Sequence, residues 1–320
     1  MPGSVSGTVA QVVAGILGVV FACSGAPAQD SSHFAALEIV HDKPFVLVMV
    51  NGKGPFRFVI DTGTGGQAFV SAELAAELAL PQTGQITLND PSGQGGRKVP
   101  MVQLASLDVA GVEFTNVKAA VHNLGNGEGS CQGLLGFALF RDFLLTLDYP
   151  GRRMALTYGD LRPDGGRSVL PLRMNDGIPV VTLAIGATQI DAQIDSGGFG
   201  LSLPSQLVSQ LKFATEYSSL STAHSLSTRF TLVGATLASD VHLGSYTFKR
   251  PFVEINPAFP LANLGSGPMH HFALTFDQKN RLVRFSAQQR ILHLSASPTP
   301  MNLQNAPDRE PVDPKLVPVS

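Results

Sequence analysis

The amino-acid sequence predicts an all-β protein built from two tandem β-barrel domains related by a pseudo-two-fold axis, each with one short helix. Three observations support this fold class. Apolar runs of strand length are separated by turns rich in Gly and Asn. The same order of runs occurs twice along the chain. Finally, 44% of the 320 residues are hydrophobic and 14% are charged, which is enough apolar material for one large core or two ordinary ones.

Both copies of the repeat open with the same β-hairpin. A strand at 44–50 is followed by a turn and by a second strand that ends at Asp61. A strand at 179–185 is likewise followed by a turn and by a strand that ends at Asp195. Each hairpin therefore delivers one acidic side chain to the same place in its copy.

The two copies also continue and close alike. After each acid, leucines spaced four apart follow Ser71 in the first copy and Pro204 in the second, a pattern that predicts a short helix. Alternating runs then predict further hairpins. At the end, 135–148 and 264–277 both carry a Leu-Gly step followed by Phe-x-Leu-Thr-x-Asp. Beginning, middle and end recur in the same order, so we interpret the chain as a duplication.

This repeat sets the predicted domain boundaries. The first domain spans 34–160 and the second spans 168–289, with the turn-forming segment 162–167 between them. The residues at 290–320 contain many prolines and few large apolar side chains, which predicts a disordered tail.

The first 28 residues are interpreted as a signal peptide. An uncharged apolar run at 9–22 is followed by small residues that end at Ala28, and the run is too short for a comfortable membrane span. We therefore expect an exported protein, periplasmic or extracellular. Cys23 lies in a loose match to a lipoprotein cleavage box, so a lipid anchor at this residue is the alternative.

Composition and motifs exclude several function classes. The 22 basic and 24 acidic residues give a net charge of −2 without a Lys/Arg cluster, so nucleic acid is not an expected partner. Histidines and cysteines lack the spacing of a metal site, and neither a phosphate loop nor a nucleophile elbow occurs. No cofactor is expected. Cys131 is interpreted as an apolar filler because no histidine lies near it in sequence to activate it.

The two strand-terminal acids are the candidate catalytic residues. Asp61 lies in FVIDTGTG at 58–65, and Asp195 lies in AQIDSGGFG at 192–200. A lone carboxylate after an apolar strand is costly to bury unless it is paired. A pseudo-two-fold axis would bring the two acids together. The pair would then hold one proton and could act as both acid and base towards a peptide bond.

The residues that follow each acid suit such a site. Gly63 and Gly197 allow a sharp turn that brings backbone N–H groups near a carboxylate. Thr62 and Ser196 offer hydroxyl groups that could form hydrogen bonds across the axis. Thr64 completes the set of predicted supporting residues.

These motifs carry a resemblance to a known family. Asp-Thr-Gly-Thr at 61–64 and Asp-Ser-Gly at 195–197, each with a later apolar-Gly element, resemble the aspartic proteases of the pepsin and retropepsin superfamily. The closing Phe-x-Leu-Thr-x-Asp pattern is similar to that of bacterial retropepsin-like members. The resemblance implies two acid-protease-like β-barrels, catalysis by Asp61 and Asp195 and a peptide or protein substrate. It also implies a monomer that contains an intrachain pseudo-dimer.

Some features depart from the family pattern and leave alternatives open. Gly198 stands where the family usually has Ser or Thr, and Asn263 interrupts the second apolar-apolar-Gly element, so we expect an imperfect second site. The flap over the substrate is expected at 89–96, without the pepsin flap tyrosine. The alternatives are an inactive module that binds peptides or envelope components, and a homodimer that pairs two copies of Asp61. A glycosidase is disfavoured because the chain has no Trp.

Overall fold

The computed structural model describes residues 32–89, 96–124, 130–224 and 229–294. Within these ranges the protein is nearly all β, with barrel-like sheets and a few short helical segments, which confirms the predicted fold class. The division into two domains stays a prediction.

The first half of the chain contains eleven strands and two short helical segments. The strands are β1 (His33–Ala36), β2 (Glu38–Val40), β3 (Lys43–Val50), β4 (Lys53–Asp61), β5 (Ala68–Val70), β6 (Gln82–Asn89), β7 (Gly96–Val109), β8 (Val112–Val121), β9 (Gly133–Gly136), β10 (Leu144–Asp148) and β11 (Arg153–Thr157). The helical segments are the α-helix α1 (Ala72–Glu77) and a 3₁₀-helix at Phe137–Phe140.

The second half contains, within its described residues, fourteen strands and two short helical segments. Its strands are β12 (Val169–Pro171), β13 (Arg173–Asn175), β14 (Ile178–Ile185), β15 (Thr188–Asp195), β16 (Leu201–Pro204), β17 (Ser218–His224), β18 (Arg229–Thr236), β19 (Val241–Leu243), β20 (Tyr246–Phe248), β21 (Phe252–Asn256), β22 (Ala262–Gly265), β23 (Ala273–Asp277), β24 (Leu282–Ser286) and β25 (Ile291–Leu292). The helical segments are a 3₁₀-helix at Ser205–Gln210 and the α-helix α2 (Ser266–Met269).

Each acid-bearing strand is held in the middle of its sheet. The expected hairpins form, β3 with β4 and β14 with β15, and both pairs are antiparallel. On the other side, β4 pairs in parallel with β9, and β15 pairs in parallel with β22. Phe58, Ile60 and Ile194 are fully buried, so the apolar residues before each acid anchor its strand in the core. Each acid consequently sits at the carboxyl end of a strand that has neighbours on both sides.

A glycine lies opposite each acid on the neighbouring parallel strand, because the loop after the acid passes directly over this position. Gly136 lies opposite Asp61 and Gly265 lies opposite Asp195. A Cβ atom on Gly136 would lie 2.1 Å from the carbonyl oxygen of Gly66, and one on Gly265 would lie 2.5 Å from that of Phe199. Only glycine leaves room for the backbone at these two positions.

The two halves contribute to one six-stranded sheet, in the order β1-β11-β10-β23-β24-β12. Its centre is the antiparallel pair of β10 and β23, which are the two closing segments recognised in the sequence. Thr146 and Thr275 lie opposite each other, and their hydroxyl oxygens are 3.0 Å apart. The alternate residues, such as Leu145 and Phe276, are fully buried. The repeated closing patterns therefore pair with each other rather than each closing its own half.

The two predicted helices differ in kind. Ser71 caps α1, since its hydroxyl accepts a 3.0 Å hydrogen bond from the backbone N–H of Leu74. At the equivalent place the second half has Pro204, which offers no side-chain acceptor, and Ser205–Gln210 forms a 3₁₀-helix instead of the expected α-helix.

Several predicted features lie outside the described residues. These are the signal segment with Cys23, the tip of the expected flap at 90–95 and the chain from 295 onward. Regular structure extends past the predicted boundary at 289, because β25 pairs in parallel with β20. No helix within the described ranges is long and apolar enough to span a membrane.

Replacing the cap of α1 tests this local difference. We expect Ser71→Ala to lower the free energy of unfolding by about 1 kcal/mol, because the N–H of Leu74 loses its acceptor. Ser205→Ala is the matched control, since the 3₁₀-helix of the second half has no side-chain cap. Urea unfolding of both variants measures the difference. Equal losses would contradict the capping role.

Candidate active site

The two predicted acids lie next to each other, and the charge of Asp195 acts on Asp61. A Cβ atom on Gly63 would lie 2.4 Å from the Asp195 carboxylate, and one on Gly197 would lie 2.5 Å from the carboxyl carbon of Asp61. Each Asp-x-Gly turn therefore packs against the acid of the other half, at a distance that only glycine permits.

Crossed hydrogen bonds connect the two turns. The backbone N–H of Thr62 donates to Ser196 Oγ, and the N–H of Ser196 donates to Thr62 Oγ1, both at 3.0 Å. The hydroxyl of Thr62 then donates to the carbonyl oxygen of Ile194, and that of Ser196 donates to the carbonyl oxygen of Ile60, both at 2.7 Å. Both side chains are fully buried. The four bonds fix the relative position of the two acids.

The electrostatics of the pair favour one shared proton. Burial raises the pKa of Asp61 from 3.8 to about 7, and the negative charge of Asp195 is the second cause. The hydrogen bond from Thr64 and the charge of Lys43 act in the opposite direction on this pKa. Two carboxyl groups this close do not both ionise readily.

Asp61 receives the hydrogen bonds that the sequence predicts. Its Oδ1 accepts from the backbone N–H of Gly63 at 2.9 Å, and its Oδ2 accepts from the hydroxyl of Thr64 at 3.0 Å. All the predicted residues of the first half therefore lie at the acid or at the crossed bonds next to it.

Asp195 receives a hydrogen-bond donor that the sequence motifs do not predict. Its Oδ1 accepts from the backbone N–H groups of Gly197 and Gly198, both at 2.9 Å. Its Oδ2 accepts from Asn263 Nδ2 at 2.8 Å. The expectation that Gly198 and Asn263 leave the second acid poorly supported is therefore wrong, because the Asn263 carboxamide takes the place of the absent hydroxyl.

Comparison with known protein families adds to this geometry. Residues 46–139 match the aspartyl protease family. The matched segment includes Asp61 and the β9 strand beside it, and it supports a retropepsin-like aspartyl protease and thus a hydrolase that acts as a protease. Asp195 lies outside the match. No curated protein matches the chain.

A buried tyrosine lies near the two acids. Burial raises the pKa of Tyr149 well above its usual value, and the nearby charges of Asp195, Asp42 and Asp61 raise it further. The hydroxyl of Tyr149 contacts the sulfur of Met269 at 3.6 Å. Tyr149 is therefore a neutral packing residue.

Two further features of the described residues are the Cys131 thiol and the distribution of possible metal ligands. Cys131 is half-buried, and burial raises the pKa of its thiol, which disfavours the reactive thiolate. Within the ranges that the structure describes, no group of three His, Cys, Asp or Glu side chains could hold a metal ion.

Removing the crossed bonds should destabilise the fold as well as the site. We expect Thr62→Val to lower the free energy of unfolding by about 1–3 kcal/mol, because buried groups lose their partners while the shape is kept. Ser196→Ala should cost a similar amount. The double variant should lose less unfolding free energy than the two single variants together, since each hydroxyl accepts a hydrogen bond from the backbone N–H of the other residue. Urea unfolding of the three variants measures this coupling, and additive losses would contradict it.

The raised pKa of Asp61 predicts a pH dependence of stability. The folded protein binds a proton on Asp61 between pH 4 and 7 that the unfolded chain has released, so this contribution is complete below pH 4 and lost as pH rises through about 7. We expect the free energy of unfolding of the unmodified protein to fall over this range relative to Asp61→Asn. Parallel stability curves for the two proteins would show that Asp61 titrates normally.

Proposed function

We propose that this chain is an aspartic endopeptidase in which Asp61 and Asp195 activate a water molecule to hydrolyse peptide bonds. The observation that carries the proposal is a pair of neighbouring acids held by crossed hydrogen bonds between two Asp-x-Gly turns. The family match of the first half supports the same activity.

The chemistry needs only the two carboxyl groups and water. The ionised carboxylate takes a proton from the water molecule while the water oxygen forms a bond to the peptide carbonyl carbon. The protonated carboxyl group gives its proton to the carbonyl oxygen, which forms a tetrahedral diol. When the C–N bond breaks, the first carboxyl group protonates the leaving nitrogen, and a diol hydroxyl returns a proton to the second. The pair ends with the one proton it began with.

The proposal extends to partners and location. The substrate is a peptide or protein, and the protein acts as a monomer because both acids come from one chain. Export directed by residues 1–28 would place this activity in the periplasm or outside the cell. The alternative of an inactive peptide-binding module was favoured by the absence of a side-chain donor at Gly198. It is less favoured because Asn263 donates a hydrogen bond to Asp195.

Peptide cleavage by single Asp variants tests the proposal. We expect the full-length chain to cleave a mixed peptide library between pH 4 and 8, with activity falling above about pH 7 as Asp61 loses its proton. Asp61→Asn and Asp195→Asn should each lose activity by about a thousandfold or more. Mass spectrometry identifies the cleaved bonds from the product masses and gives the rate from the product amounts over time.

Each other outcome points to a stated alternative. An active Asp195→Asn beside an inactive Asp61→Asn would favour a dimer that pairs two copies of Asp61, and light scattering would then show a dimer. A chain that cleaves nothing under any condition would favour the peptide-binding module.

A further inference from the structure

The two halves place one hydrogen-bond donor differently. The third residue after each acid is Thr64 in the first half and Gly198 in the second. Thr64 donates its hydroxyl to the Oδ2 atom of Asp61, whereas Gly198 has no side chain to offer the equivalent oxygen of Asp195. The loop of the second half therefore lacks a donor that the loop of the first half provides.

The missing donor comes from the neighbouring strand. In β9, Leu134 lies opposite Val59, two residues before Asp61. In β22, Asn263 lies opposite Gln193, two residues before the acid of the second half. Leu134 and Asn263 thus occupy matching positions, but only Asn263 carries a polar group, and that group donates to the acid.

The two solutions exclude each other in space. A Cβ atom on Gly198 would lie 2.7 Å from Asn263 Nδ2 and 2.8 Å from Asp195 Oδ2. Real Cβ atoms do not approach other atoms this closely, so a larger residue at this place requires the side chains of Asn263 and Asp195 to shift. The pairs Thr64–Leu134 and Gly198–Asn263 are therefore two alternative ways to supply one donor.

The two donors have different chemistry. A hydroxyl group can donate to a carboxylate or accept from a carboxylic acid, whereas a carboxamide N–H only donates. Asp195 accepts from three N–H groups, those of Gly197, Gly198 and Asn263. Hydrogen bonds donated to the charged form of a carboxyl group favour that form. The surroundings of Asp195 are thus suited to a carboxylate.

The other end of the Asn263 carboxamide is buried. Its Oδ1 atom has no hydrogen-bond partner within the described part of the chain. With Nδ2 towards Asp195, the amide donates to a carboxylate oxygen. Turning the amide over would point Oδ1 at Asp195, which is favourable only if that residue is protonated.

We propose that Asn263 is a positioning residue that keeps Asp195 as the ionised member of the pair and leaves the shared proton on Asp61, with Gly198 making room for it. This inference rests on the proposed protease function for its catalytic consequence. Ionisable groups near the pair include Lys43, whose charge acts on Asp61, and Tyr149, which stays neutral and also lies near Asp42. Within the described residues, none of these groups donates a hydrogen bond to Asp195.

Exchange of the two pairs tests the proposal. Asn263→Leu removes the donor, so we expect kcat to fall about tenfold or more with little change in KM, and the acid limb of the pH–activity profile to rise by about one pH unit. Gly198→Thr alone should lose activity through the clash with Asn263. The double variant Gly198→Thr/Asn263→Leu copies the first-half pair and should recover both kcat and the acid limb towards the unmodified protein.

Two results would overturn the proposal. One is an acid limb in Asn263→Leu that coincides with that of the unmodified protein. The other is a double variant no better than the worse of the two single variants although it unfolds at the same temperature as the unmodified protein. Asn263→Ala provides a second donor-free variant if the leucine disturbs folding.

A readout without catalysis separates this inference from the proposed function. In full-length protein labelled with ¹³C at the aspartate carboxyl carbons, the Asp195 signal can be assigned by its loss in Asp195→Asn. We expect its titration midpoint to move to higher pH in Asn263→Leu and to return in the double variant. If the unmodified protein cleaves no peptide, the proposed function fails while this titration still decides the role of Asn263; an unmoved midpoint refutes that role.

Discussion

The crossed hydrogen bonds of Thr62 and Ser196 are the constraint on which the rest of the site depends. Each hydroxyl accepts from the backbone N–H of the opposite turn and donates to a carbonyl oxygen of the opposite strand. Because both residues are fully buried, no water can replace these partners without opening the core. The acids are next in sequence to these residues, so fixing the turns also fixes the distance between the carboxyl groups.

The cost of burying two carboxyl groups is offset by how the surrounding chain is built. Each acid ends a strand whose apolar residues lie in the core, and the loop that follows folds back over a glycine of the parallel neighbour. This arrangement directs backbone N–H groups at the carboxylates, which are half-buried. The remaining repulsion between the acids appears in the raised pKa of Asp61, so the same burial that is unfavourable to charge retains the shared proton.

Much of the fold follows from sequence alone, because strand-length apolar runs separated by turns predict an all-β protein with an acid at the end of each of two central strands. The sequence does not reveal that the closing segments pair with each other in one sheet, since either segment could have paired within its own half. It also does not reveal the role of Asn263. That role depends on the register between β15 and β22, which places its carboxamide beside an acid that lies 68 residues earlier in the chain.

Gly198 and Asn263 show why a motif is better compared by the hydrogen bonds its residues form than by their residue types. Taken separately, the glycine removes a donor and the asparagine interrupts an apolar strand, and both count against a working site. In the structure the same two changes are complementary, since the space that the glycine leaves is where the carboxamide reaches Asp195. The family match ends before this half, at residue 139, yet Asp195 receives three N–H donors where Asp61 receives one N–H and one hydroxyl. The departure from the motif thus changes the kind of donor at Asp195 without removing it.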